Sequence, residues 1–200
     1  MKILLVGGTG TIGKKIYWRL QENHELISAG SKSGDVQVDM TDPQSIEELF
    51  NKVGKIDALV VTAGGGPMAP LQDLTQEQFY EGIRSKMMGQ INLALIGQKY
   101  INSGGSITLT SGILADDPIP MGTILSTVNG AVNGFVTGAA GELFRKGIRI
   151  NVVSPGIVED SMEAIGGYFP GHNPVPMDKV VNAYVKSIEG IVTGEIIRVF

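Results

Sequence analysis

The segment Lys2-Ile-Leu-Leu-Val-Gly-Gly-Thr-Gly-Thr-Ile-Gly13 constrains this chain more than any other. Lys2 to Val6 is a short apolar run bounded by glycines, the pattern of a buried strand. Gly7, Gly10 and Gly13 follow at intervals of three, and a helical stretch runs from about Lys14 to Leu20. Strand, glycine turn and helix start in that order aim backbone N–H groups and the positive end of a helix dipole at one point, which suits an anion. Each glycine has a physical task there: a tight turn, close approach to a pyrophosphate, and close packing of helix on strand. An ordinary glycine-rich turn has the same local pattern, so other stretches must decide.

Composition excludes several classes. The chain has 200 residues with 16 basic and 20 acidic side chains, a net charge of −4 and no basic run, so no nucleic-acid partner is expected. There is no cysteine, which removes disulfides, thiolate metal sites and a cysteine nucleophile. His24 and His172 are far apart, so neither a histidine metal site nor a Ser-His-Asp triad is expected, and no metal is assigned. No apolar run approaches the ~18 residues that read as a membrane span. The apolar start leads into glycines rather than a signal-type cleavage region. The expectation is a cytoplasmic protein with no membrane partner.

Apolar runs and helical patterns then alternate. Strands are expected at Glu25–Ala29, Val36–Val38, Asp57–Thr62, Ser106–Thr110, Ile148–Val153 and Glu195–Val199. Thr41-Asp42-Pro43 starts a helix reaching about Val53, and Thr75-Gln-Glu-Gln78 is a capping box opening a helix that continues to about Ile101. Gly122–Lys146 and Asp178–Glu189 read as further helices. The pattern predicts an α/β fold: a single Rossmann-type, doubly wound parallel sheet of about seven strands with helices on both faces. Right-handed crossovers give the strand order 3-2-1-4-5-6-7, in one domain over residues 1–200.

Ligands of such sheets lie beyond the carboxyl ends of the strands, where the order reverses. The opening loop, Gly30–Gly34, Asp39-Met40, Ala63–Gly66, Ser111-Gly112 and Pro155-Gly156 all fall there and are small or glycine-rich, which points to a dinucleotide. At the end of the second strand Ser31 and Lys32 suit a 2′-phosphate, so NADP is expected over NAD. Asp35, close by in sequence, keeps NAD open.

These stretches are similar to those of the short-chain dehydrogenase/reductase family, nearly end to end. GGTGTIG (7–13), VDMTD (38–42), LVVTAGG (59–65), GSITLTSG (105–112), NGAVNGFV (129–136) and RKGIRINVVSPGIV (145–158) carry the resemblance, the last most specifically. The resemblance implies that Gly7, Thr9, Gly10, Thr11, Ile12 and Gly13 wrap the pyrophosphate. It places Ser31 and Lys32 at the adenosine ribose or its phosphate, and Asp39 and Met40 beside the adenine. Ala63, Gly64 and Gly65 would line the central cofactor, and Pro155, Gly156 and Ile157 the nicotinamide end.

The reacting groups depart from that pattern. The family uses a Ser, a Tyr and a Lys four residues after the Tyr, with an Asn from the preceding long helix. The serine stabilises oxyanion charge, and the tyrosine gives the proton with its pKa lowered by the lysine. Ser111 fits the serine, but ungapped alignment puts Leu125 at the tyrosine, Asn129 at the lysine and Lys86 at the asparagine. Ser111 and Lys86 are therefore the candidate catalytic residues, Lys86 supplying the positive charge that Asn129 lacks; a surface or interface lysine is the other reading. Tyr168, in the segment covering the substrate side, is a candidate donor, with a packing role as its alternative.

Two functions follow. One is an NADP(H)-dependent oxidoreductase acting on a small carbonyl or alcohol of unknown identity through a non-standard site. The other is a non-catalytic NADP(H)-binding sensor or regulator. The two long helices pair in dimers of the resembling family, and Gly130, Ala131, Gly134, Gly138, Ala139 and Gly141 permit close packing, so a homodimer is expected, with a tetramer as the alternative.

Overall fold

The computed structural model describes residues 1–200. The apolar runs form β1 (Lys2–Val6), β2 (Glu25–Gly30), β3 (Val36–Gln37), β4 (Ile56–Val61), β5 (Ile101–Thr110), β6 (Arg149–Pro155) and β7 (Ile196–Val199). They pair in parallel throughout, in the order β3-β2-β1-β4-β5-β6-β7. This is the predicted doubly wound order, with its reversal between β1 and β4.

The helices are α1 (Thr11–Leu20), α2 (Pro43–Val53), α3 (Gln76–Gly82), α4 (Gly89–Gly97), α5 (Thr123–Phe144), α6 (Met162–Ile165) and α7 (Met177–Glu189). Successive residues of β1 show why they cover both faces. Ile3 and Leu5 are buried with Ile16 and Leu20 of α1 and Val180 and Tyr184 of α7. Leu4 and Val6 are buried on the other side with Phe50 of α2, Leu93 of α4 and Val132 of α5. Local chemistry fixes the helix starts: Asp42 accepts from Gln44 N ahead of Pro43, and Thr75 and Gln78 form the reciprocal capping box. No helix is long and apolar enough to cross a membrane.

The largest departure from the expected elements is the long helix. It is interrupted between α3 and α4 by a π-helical turn at Ile83–Met88 and ends at Gly97 rather than Ile101. Phe50 Cζ lies 2.6 Å from where a Gly97 side chain would begin, so the helix is pressed onto α2 as it ends. Ile101 then pairs with Ile56, and β5 starts five residues earlier than expected. Asn102 to Gly105 form an irregularity between that pair and Ala58–Ser106. At the other end of β1, α1 begins at Thr11, within the glycine turn, rather than at Lys14.

Candidate active site

The β1–α1 turn is held from below. Gly10 N–H donates to Gly7 O at 3.0 Å, and Thr62 Oγ1, from the end of β4, donates to the same carbonyl at 3.1 Å. Gly13 sits so close beneath the turn that a Cβ there would lie 2.1 Å from Gly7 O. The N-cap of α1 is Gly10, so no side chain caps the helix and its first turn has no acidic residue. The amides of Thr11, Ile12 and Gly13 have no acceptor within the helix, as at any helix start. Thr9, Gly10 and Thr11 are exposed, and Ile12 reaches a cavity that it shares with Ser111. This is an anion cradle built from backbone.

The loops after β2 and β3 are more polar and open. Ser31 and Lys32 are exposed, and Lys32 has no ion-pair partner. Thr9 Oγ1 lies 2.8 Å from Ser33 Oγ, a link between the two loops that sequence reading missed. Asp35 accepts from both Ser28 N and Ser28 Oγ at 2.8 Å, and these bonds hold its carboxyl below the usual range. Asp39 is likewise engaged by Thr41, whose hydroxyl and amide lower its pKa. Met40 is half-buried, with Cε 2.6 Å from where a Gly89 side chain would start. It packs on the head of α4 as well as facing the loop.

Ala63, Gly64 and Gly65 continue from β4 and lie against the π-helical turn. Gly64 has φ +104°, and a Cβ there would meet Lys86 Cα at 2.9 Å. Gly65 N–H donates to Ser85 Oγ at 3.3 Å. A π turn inserts one residue into a helix and redirects the face that follows, which is why such turns cluster at functional sites. Here it sets Lys86 into a cavity of about 250 Å³, shared with Ile12, Ser111, Gly112, Leu125, Asn129, Pro155, Gly156 and Ile157.

Within that cavity Ser111 and Asn129 are both 4% exposed, and neither Ser111 Oγ nor Asn129 Oδ1 has a hydrogen-bond partner. Lys86 is half-buried and has no acidic neighbour, and desolvation alone pushes its ammonium down to about 8. Leu125 packs against Ile113, Leu114 and Ile119 together with Met68 and Phe169, so the position matching the family tyrosine is part of an apolar wall. Tyr168 is 46% exposed and does not line the cavity. Its neighbour Phe169 does, held edge-on to His172, so the donor reading of Tyr168 fails on geometry.

A buried network behind Ser111 was not read from the sequence. Gln90, fully buried, donates to Thr110 O and accepts from Thr110 N, both at 2.8 Å. β4 has ceased to pair with β5 here, the last matched pair being Val60–Thr108, and the Gln90 amide takes the missing strand's place. From the opposite face Tyr184 OH lies 2.7 Å from Thr110 Oγ1, which donates to Val61 O at 2.6 Å. Burial raises the Tyr184 phenol far above its ordinary value. The i, i+4 spacing from Lys86 does not flag Gln90, because the π turn at Ile83–Met88 breaks the α-helical register between them.

The family model described as enoyl-(acyl carrier protein) reductase matches residues 16–174. A hydroxynaphthalene reductase of Aspergillus fumigatus is 30% identical over 158 residues, which is 76% of this chain and 58% of that protein. An uncharacterized oxidoreductase of Methylorubrum extorquens is 29% identical over 137 residues, 66% of this chain and 55% of that one. The chain thus spans little more than half the length of these curated relatives. Among solved structures, the protein lin1944 from Listeria innocua is 46% identical with a TM-score of 0.98, both chains being covered in full. A small-chain dehydrogenase in complex with NADPH is 26% identical with a TM-score of 0.88, covering 100% of this chain and 96% of that one. Sheet order, strand-end loops and a family match over most of its length make this chain a member of the short-chain dehydrogenase/reductase family.

Proposed function

We propose that this chain binds NADP(H) as one domain and acts as an oxidoreductase on a small carbonyl or alcohol through a site that departs from the family pattern. The observation that carries this reading is the uncapped start of α1, whose Ile12 lines the same cavity as the unpartnered Ser111 hydroxyl. The residues fit a dinucleotide: the glycine turn leaves backbone N–H groups for a pyrophosphate, and no side chain fills the cradle. Gly7, Thr9, Gly10, Thr11, Ile12 and Gly13 would hold the pyrophosphate, and Ala63, Gly64 and Gly65 the central part. Pro155, Gly156 and Ile157 would flank the nicotinamide, with Asp39 and Met40 beside the adenine. Ser31 and the unpaired Lys32 suit a 2′-phosphate, while Asp35 is already spent on Ser28. The NADPH-bound neighbour supports the same cofactor.

When bound, the cofactor supplies the hydride. Ser111 Oγ donates a hydrogen bond to the carbonyl oxygen and stabilises charge developing there. Lys86 adds a positive charge on the same side, and an ammonium near 8 is mostly protonated at neutral pH, so it can give the oxygen a proton. Leu125 excludes water from that wall. The competing reading, an NADP(H)-binding sensor without turnover, is favoured by Leu125 lying in an apolar cluster where a proton donor would be needed.

A fluorescence titration with NADPH and NADH, followed by NADPH oxidation with a panel of small carbonyls on the same sample, separates these. Saturable binding with NADPH the tighter, and oxidation that Ser111→Ala lowers by about 10²-fold, is the expected result. Binding without oxidation selects the sensor, and no binding removes both. For assembly we propose a homodimer through α4 and α5. Ala94, Leu95, Phe135, Gly138, Ala139 and Leu143 line an open groove there, and Leu95 is 46% exposed. Built side chains at Gly130, Gly134, Gly138 and Gly141 meet nothing within 4 Å, so these glycines are not packed against the sheet. A monomeric mass in solution at micromolar concentration would remove the dimer. We propose a cytoplasmic location.

A further inference from the structure

We propose that the molecule acted on at this site is a short oxo acid or hydroxy acid, and that Lys86 holds its carboxylate. The inference deepens the oxidoreductase reading and rests on it for the identity of the cavity. Its basis is a charge count around that cavity. Among the residues that line it, Lys86 is the single charged side chain. The rest of the wall is largely apolar, with Ile113, Leu114, Leu125, Ile165 and Phe169 opposite the strand ends.

Carboxylates do occur on the flanking segments, and they are engaged elsewhere or turned to solvent. Asp116 Oδ1 accepts from Arg198 Nε and Nη2 at 3.1 and 2.9 Å. Asp117 lies 3.3 Å from His172, and Asp160 lies 3.3 Å from Lys15. Glu159 and Glu163 are exposed and outside the lining. A cation drawn into an apolar cavity with no counter-ion is costly, and a ligand that brings an anion relieves that cost. The lowered pKa of Lys86 reports the same unfavourable desolvation.

The neutral groups complete the fit. Ser111 Oγ and Asn129 Oδ1 are buried without partners. A carbonyl oxygen accepts from the Ser111 hydroxyl, and a hydroxyl on the reduced ligand donates to Asn129 Oδ1. The cavity of about 250 Å³ also borders Pro155, Gly156 and Ile157, where the nicotinamide would lie, so the ligand would sit beside the cofactor. The Lys86 ammonium has three N–H donors, so one can hold a carboxylate while another faces the carbonyl oxygen when the two groups are close together, as in pyruvate or acetoacetate.

Isothermal titration calorimetry on the protein saturated with NADP⁺ tests this without turnover, using pyruvate and acetoacetate as probes and acetone as the neutral control. At least one acid is expected to bind at least tenfold more tightly than acetone. Lys86→Met should erase that preference and Lys86→Arg should keep most of it, both variants retaining NADP⁺ affinity. Equal binding of acetone and both acids, or acids that bind Lys86→Met as well as the parent protein, would overturn the proposal. The NADP⁺ titration that precedes each run reports separately on the oxidoreductase reading, because its failure leaves acid binding to the free protein measurable.

Discussion

At the β1–α1 turn the anion cradle is made of backbone, with Gly13 against Gly7 O and no side-chain cap on the helix. Across the cavity the proposed reacting side is made of side chains: Ser111, Asn129, Lys86 and the apolar Leu125. Backbone geometry is fixed by the fold, because turns and helix starts repeat wherever the chain is wound this way. Side-chain chemistry is not so fixed. Here a lysine on the π-helical turn and an asparagine on α5 line the cavity, the reverse of the pair that the family resemblance implies. The half that binds can therefore be secure while the half that reacts is open to change.

The comparison breaks first at Gly13. A methyl group there would lie 2.1 Å from a carbonyl oxygen of the backbone, which has no flexible end to move aside. Gly13→Ala should cost roughly 3 kcal/mol or more in stability, in the range of severe core strain. NADPH affinity should fall at least about 100-fold, since the helix start that faces the anion shifts with it. Gly65→Ala is the control, with open space around the built Cβ and no positive φ. Its urea midpoint should match the parent. Normal NADPH binding by Gly13→Ala would show that the cradle is not the anion site.

On the reacting side the equivalent rigidity comes from buried polar side chains. Gln90→Leu leaves both Thr110 N and Thr110 O without a partner next to Ser111. Two orphaned backbone groups should cost roughly 2–5 kcal/mol in urea denaturation. Tyr184→Phe should cost only about 1 kcal/mol, because Thr110 Oγ1 keeps its bond to Val61 O. Equal losses would mean that the two faces of the sheet grip Thr110 alike.

What could be read from sequence divides along the same line. Strand order, the glycine turn and the caps at Asp42 and Thr75 follow from local spacing, and the structure has them. The π turn at Ile83–Met88 had no local signal: it lies where the Gly64 loop meets Lys86 and Gly82 meets Ile124, contacts distant in sequence. The end of α4 at Gly97 is likewise set by Phe50. Lys86, Asn129 and Leu125 were found only by matching positions to the family. That they share one cavity, and that the neighbouring acids are engaged elsewhere, needs the tertiary structure. Tyr168 shows the limit from the other side, since a lid aromatic in the right stretch turned outward while Phe169 turned in.

A smaller effect tests the phosphate end of the nucleotide half. Lys32 is exposed and unpaired, so its loss should leave the fold intact. Lys32→Ala should weaken NADPH binding roughly fivefold and NADH binding little, because an exposed lysine–phosphate contact is worth about 1 kcal/mol. The difference should shrink in high salt. Equal losses for both nucleotides would place the 2′-phosphate elsewhere.

The finest distinction concerns the charge at Lys86, read from stability alone. Its pKa falls from 10.5 in the open chain to about 8 in the folded protein, through desolvation. Between those values the unfolded chain binds more protons than the folded one, so the free energy of unfolding rises with pH across that window. Below about pH 8 both states are protonated and the burial penalty is present in full; above 10.5 it is gone. The rise should be on the order of 1 kcal/mol, since a half-buried ammonium is partly screened. Lys86→Met should remove this component, as judged by urea denaturation at several pH values. Lys86→Met with an unchanged slope would mean that the ammonium reaches water freely. A carboxylate bound beside Lys86 should flatten the slope as well, by returning the ammonium's pKa toward its open-chain value. That ties the smallest of these effects to the chemistry of the reacting half, where the charge has no partner within the chain.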